Sequence, residues 1–151
     1  MNRITPFLWF DGRAEEAVNF YTAIFKRSKV VSMMPGPDGK VMSATFELEG
    51  QRFMALNGGP MYQFTPAISL FVSCETQKEV DELWDKLSAS GEPGRCGWLK
   101  DRFGVSWQII PTVLGKLLGD KDRGKAGRAM QAMLLMNKLD IKGLQKAFDG
   151  R

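Results

Sequence analysis

The apolar pattern of residues 11–25 recurs 63 positions further along the chain, and that repeat restricts the fold more than any other feature. Ala17, Phe20, Tyr21 and Ile24 stand at i, i+3, i+4 and i+7, and Val80, Leu83, Trp84 and Leu87 stand at the same spacing. Each set defines an amphipathic helix with one core-facing stripe. Asp11 and Thr76 are residue types that cap helix N-termini, and Gly91 follows the second helix where a left-handed residue is wanted. Extended runs rich in aromatic and branched residues precede both helices, Ile4 to Phe10 and Ala67 to Ser73, again 63 apart.

Strand patterns follow each helix. Met42, Ala44, Phe46 and Leu48 alternate with Val41, Ser43, Thr45 and Glu47, and Glu49-Gly50 then turns the chain into Gln51 to Asn57, which reads as a hairpin. Pro35 to Gly39 supply the turn before it. In the second half Glu92 to Trp98, Leu99 to Phe103 and Val105 to Ile110 repeat the scheme, with Gly104 standing 54 residues after Gly50. The second unit is thus nine residues shorter, a loss assigned to the turn before its hairpin.

The expected class is α+β: a β-α-β-β-β module used twice, each an antiparallel sheet with its helix on one face and the other face enclosing a cleft. The modules span about 1–58 and 66–111, together one domain over 1–111. Residues 112–151 form a helical extension: Thr112 to Leu118, then about Arg123 to Asn137 with Ala126, Met130, Met133 and Asn137 on one stripe, then a helix capped by Asp140 and carrying Ile141, Leu144 and Phe148. So many apolar residues suit burial, on the same subunit or in a dimer.

Composition closes several functional classes. The chain has no histidine, so it has no Ser-His-Asp triad, no Cys-His pair and no imidazole metal ligand. Two cysteines cannot build a four-thiolate site. The net charge of +4 is uneven: residues 1–111 hold 12 basic against 13 acidic side chains, and residues 112–151 hold 9 against 4. The basic residues of the extension alternate with Asp120 and Asp122 and lack interleaved aromatic groups, so no nucleic-acid partner is expected. No apolar run approaches the ~20 residues that span a bilayer, and Met1 to Pro6 lack a signal-peptide core; a cytoplasmic protein with no membrane partner is expected.

The runs FLWFDGRAEEAVNFYTAIF, LNGGP, EVDELWDKLSASGEPGRCGWLKDRFGVSWQIIP and AMQAMLLMNKLDIKGLQKAF resemble the PhnB-like branch of the vicinal oxygen chelate superfamily. That superfamily also holds glyoxalase I, bleomycin-resistance proteins and extradiol dioxygenases, and members of this branch often carry the label 3-demethylubiquinone-9 3-methyltransferase. The resemblance covers nearly the whole chain and implies paired βαβββ modules, a homodimer and a ligand cleft. It also implies a divalent metal held by one side chain from the first and last strand of each module. The motif in DRFGVSWQI aligns Gln108 with the usual glutamate; the repeat offsets then give Met54, with Ala67 and Ile4 near the first-strand positions. One amide and three apolar groups do not hold a divalent ion against water, so no metal and no cofactor are expected.

Strand parity turns Ser106, Gln108 and Ile110 toward the cleft and Val105, Trp107 and Ile109 toward the helix. Leu8, Met54, Ser69, Phe71 and Cys96 join Gln108 as candidate ligand-binding residues, in a mostly apolar pocket with few polar groups; side chains that merely fill a core are the competing account. Cys96 lies near Lys100, Asp101 and Arg102, a setting that favours a thiolate, yet no base of the usual kind is available and an inert thiol takes precedence. Cys74 ends a strand and reads as packing. Methyl transfer from a nucleotide-type cofactor calls for a glycine-rich turn between a parallel strand and a helix, and none occurs. The first expectation is a metal-independent protein that binds a small molecule. The alternatives are an enzyme using Gln108, Ser69 and Cys96, or a dimeric scaffold with a vestigial cleft.

Overall fold

The structure, a computed structural model, describes residues 2–151 and divides them into two compact units that part between Phe64 and Thr65. In the first unit β1 (Phe7–Phe10) leads into α1 (Ala14–Ile24), followed by β2 (Ser28–Pro35), β3 (Val41–Leu48) and β4 (Gln51–Asn57). The strands lie in the order β1-β4-β3-β2. β2, β3 and β4 form an antiparallel meander, whereas β1 runs parallel to β4. The sheet is therefore mixed, not antiparallel throughout. The cause is topological: α1 returns the chain so that β2 runs with β1, and two hairpins later β4 runs the same way.

Alternation on β3 sends Ala44, Phe46 and Leu48 under α1, where they meet Ala14, Ala17, Val18 and Tyr21 in the core. Ring stacking continues across it, with Phe46 centroids 6.3 Å from Tyr21 and 5.3 Å from Phe53. Glu49 and Gly50 both adopt positive φ, 49° and 83°, as a two-residue hairpin turn requires. Asp11 is not the helix cap. The chain turns at Gly12, α1 starts at Ala14, and the first amide is satisfied from another strand: Ala14 N–H donates to Asn57 Oδ1 at 2.9 Å, while Asn57 Nδ2 donates to the Val41 carbonyl at 3.0 Å.

The second unit repeats the plan with β5 (Leu70–Cys74), α2 (Gln77–Ser88), β6 (Glu92–Pro93), β7 (Trp98–Lys100) and β8 (Ser106–Pro111), in the order β5-β8-β7-β6. Again the outer pair, β5 with β8, is parallel. Thr76 caps α2 as expected, accepting from Glu79 N–H at 3.2 Å. The expected strand over Glu92 to Trp98 is only two residues long, because Cys96 and Gly97 take φ of 58° and 84° and break the ladder. The shortening of this unit thus falls on the strand as well as the turn. Ser90, not Gly91, holds the left-handed conformation after α2; Gly91 is needed because a Cβ there would lie 2.3 Å from the Lys100 carbonyl oxygen.

The extension consists of α3 (Thr112–Leu118), α4 (Arg123–Leu134) and α5 (Ile141–Asp149), and it belongs to the second unit. Leu114, Leu117, Ala129, Leu139 and Leu144 bury against Ile110 of β8. The buried stripe of α4 is Ala126 and Ala129; Met130 is exposed, and Asn137 lies beyond the helix end, where its carbonyl accepts the Gly97 N–H at 2.8 Å. The apolar residues of the extension are therefore largely consumed within their own unit. Some of its cations cap helices: Arg128 donates to the carbonyls of Ala147 and Phe148, and Arg123 to those of Leu118 and Asp120. Among the described residues no helix is long and apolar enough to cross a membrane.

Candidate functional site

Each sheet has one face under its helix and one turned away from it, and the register decides which residues share the second. In the second unit Phe71 pairs with Gln108, and Gln108 pairs with Trp98, so a three-strand row Phe71–Gln108–Trp98 lies on the face opposite α2. Trp107 and Ile109, the flanking residues of β8, are buried on the helix side. Gln108 Nε2 donates to Ser69 Oγ at 3.0 Å. The structure thus brings together three of the expected residues, Ser69, Phe71 and Gln108. Sequence reading missed Trp98, whose signal was its place one hairpin before Gln108.

In the first unit Met54 pairs with Phe7 on one side and Thr45 on the other. Leu8 does not share that face. It pairs with Ala55, which is buried under α1 together with Phe10, so Leu8 belongs to the helix side and Phe7 takes the position expected of it. The reason is a change in the repeat offset. Phe7 opposite Met54 corresponds to Phe71 opposite Gln108, a separation of 64 in the first strands, against 63 in the helices. One residue of slip exchanges the faces of a strand.

Cys96 sits half-buried in the break before β7, its N–H donating to the Met136 carbonyl at 2.8 Å. Cys74 is fully buried, and burial, with Glu79 second, pushes its thiol up to about 11. Asp101, expected only as a charge near Cys96, has a different role. It is buried, and its carboxylate accepts from Phe103 N–H at 2.8 Å, Val105 N–H at 3.0 Å and Trp107 Nε1 at 2.8 Å, which fixes the loop that delivers β8. A separate groove of about 900 Å³ in the first unit, lined by Gly36 to Met42 with Gly12, Glu15 and Asn57, contains none of the candidate residues.

The four positions that the resemblance aligns with a divalent ion offer it almost no donors. Ile4 and Ala67 precede β1 and β5, Ile4 is exposed, Met54 lies between Phe7 and Thr45, and Gln108 is bonded to a hydroxyl. No three His, Cys, Asp or Glu side chains group together among the described residues. These residues do not fit such an ion.

Two successive β-α-β-β-β units followed by helices are the α+β architecture that the resemblance implied. The chain belongs to the 3-demethylubiquinone-9 3-methyltransferase family, whose sequence profile matches residues 2–110. A PhnB protein from Bacillus cereus, provisionally described by that same activity, is 41% identical, with a TM-score of 0.68 over 74% of this chain and 100% of its own. Protein PA1353 from Pseudomonas aeruginosa is 21% identical, with a TM-score of 0.59 over 73% and 96%. The fosfomycin resistance protein FosX from Listeria monocytogenes, whose structure holds Mn(II) and sulfate, shares the fold at 12% identity and a TM-score of 0.53 over 71% and 89%. No curated protein gives a significant match. The family match ends at residue 110, so α3–α5 lie outside it, although the run from Ala129 to Phe148 had entered the resemblance.

Proposed function

We propose that this protein is a metal-independent binder of a small, uncharged, flat molecule, acting as a cytoplasmic homodimer. The observation that carries the reading is the row Phe71–Gln108–Trp98 with Ser69 bonded to its centre. Two aromatic side chains flank a polar pair whose carbonyl and hydroxyl retain capacity to accept and donate, which suits a ring bearing a hydroxyl or carbonyl group. The exposed apolar side chains Val30, Val31, Met34 and Met42, apart from the ligand row, support pairing with a second copy. The donor set supports metal independence in a fold whose FosX member is seen with Mn(II).

The test uses 2-naphthol as probe, with binding read from quenching of the intrinsic tryptophan fluorescence. Gln108→Leu is expected to weaken it about tenfold, the loss of one hydrogen-bonded contact, while shifting unfolding stability by under about 1 kcal/mol. Equal affinity in the two proteins removes Gln108 from the site. Dialysis against Mn²⁺ or Zn²⁺ should leave no stoichiometric ion by elemental analysis; one equivalent that disappears in Gln108→Ala overturns the metal-independent reading.

A further inference from the structure

The helical extension closes the face of β8 that carries Gln108 at its Ile110 end. Ile110 lies two residues beyond Gln108 on the same face of that strand, yet it is only 8% exposed, because it packs into the cluster formed by α3–α5. Leu139, fully buried, reaches the same spot: a Cβ placed on Gly97 would lie 2.8 Å from Ile110 Cδ1 and 3.2 Å from Leu139 Cδ1. Ser106, at the other end of this face, is also buried, so Gln108 is the sole partly exposed residue of β8.

The segment carrying Leu139 is held from both sides. Its backbone adds to the break before β7, where the carbonyls of Met136 and Asn137 accept the N–H groups of Cys96 and Gly97, each at 2.8 Å. On the other side Gln77 of α2 clasps the chain: its Nε2 donates to the Leu139 carbonyl at 3.0 Å and its Oε1 accepts the Ile141 N–H at 2.8 Å. Lys138 and Asp81 add an ion pair at 3.0 Å, and the Asp81 carboxyl is held below its usual range by the hydrogen bond from Gln77 and by Lys138. A free-swinging tail needs no such clasp.

From these contacts we propose that Leu139, seated by the Gln77 clasp, is a positioning residue that backs Ile110 as the wall setting how long a ligand on Gln108 can be. The proposal rests on the binding reading above. It gives the extension a task that the family's shared part lacks, since the family match stops at residue 110 and 74% of this chain accounts for all of the Bacillus cereus protein.

The experiment titrates the full-length protein with 2-naphthol and its 6-alkyl homologues from methyl to hexyl. In the wild type, affinity should rise about fourfold per CH₂ for the first few carbons and then stop rising, because further methylenes meet a packed wall. In Leu139→Ala the break should move one to two carbons longer, with the longest homologues binding about tenfold tighter and 2-naphthol unchanged within about twofold. Leu139→Val should shift the break in the same direction by less, and it serves as the deciding variant if the alanine protein does not fold. Leu135→Ala, altering an 86% exposed residue of the same extension, should leave the series unchanged. A break that stays at the wild-type length in the folded Leu139 variants overturns the wall while the binding reading stands. Absence of saturable 2-naphthol binding to the wild type overturns the binding reading and the wall with it.

Discussion

Asp101 is a single buried carboxylate on which the placement of Gln108 depends, and removing its charge should show how much. Its side chain is 2% exposed and accepts hydrogen bonds from the Phe103 and Val105 N–H groups of the loop after β7 and from the Trp107 indole. Asp101→Ala leaves Val105 N–H and Trp107 Nε1–H buried without that acceptor, at about 1–3 kcal/mol each, and opens a small cavity; a total of about 3–5 kcal/mol is expected. Asp101→Asn keeps one oxygen for the two loop amides but turns an NH₂ donor on the indole N–H, at about 1–3 kcal/mol. Urea unfolding followed by tryptophan fluorescence measures both, with a lower midpoint and an unchanged slope as the signature of lost stability. Trp107→Phe supplies the coupling check: it should cost less on the Asp101→Asn background than on the wild type, because the clashing donor is then gone. An Asn variant within about 0.5 kcal/mol of wild type, or a cycle with no coupling, refutes the assignment of that carboxylate as the organiser of the loop.

Three further outcomes are expected. The Cys74 thiol, raised from 9.0 to about 11 by burial and Glu79, favours its neutral form in the folded state, so stability present below pH 9 should fall as pH rises from 9 toward 11, by up to about 1.4 kcal/mol per unit; Cys74→Ala should flatten that slope in urea titrations at pH 8 and 10.5. Gly58→Ala places a Cβ 2.3 Å from the Trp9 ring, whose Nε1 donates to the Gly59 carbonyl at 2.9 Å, and should lower stability by about 1–3 kcal/mol in the same assay. Thr76→Ala, which removes the α2 cap, should cost about 1 kcal/mol, with Thr76→Ser restoring most of it.

The repeated unit was legible because helix faces and strand alternation are periodic, and burial follows that period: Val80, Trp84 and Leu87 bury as the spacing predicts, and so do Ala44, Phe46 and Leu48. Three kinds of detail escaped. A cap supplied from another strand, as Asn57 supplies α1, leaves no mark near the helix it serves. Parallel pairing of β1 with β4 is a property of connection order and not of either strand's composition. Leu8 was placed on the wrong face because a repeat offset read from helices was extended into the strands, where one residue more is needed. Of the site, Ser69, Phe71 and Gln108 were readable from parity, whereas Trp98 enters through pairing across the hairpin before Gln108 and Asp101 through a folded loop that no local pattern announces.

The electrostatics of the second unit's open face narrow the proposed ligand further. In the second unit Glu92 pairs with Lys100 and Lys100 with Ser106, one row away from Gln108. The row that holds Gln108 itself contains an amide between two aromatic rings and no ionised group. An anion or cation seated there would lose hydration with no opposite charge in its own row to offset the loss, whereas a neutral hydroxyl or carbonyl needs only the two hydrogen-bonding partners that Gln108 and Ser69 provide. On the proposed reading the same neutrality that suits the face poorly to a divalent ion favours an uncharged ligand: 2-naphthol should bind more tightly than 2-naphthoate at neutral pH, and a preference for the carboxylate would place the site elsewhere.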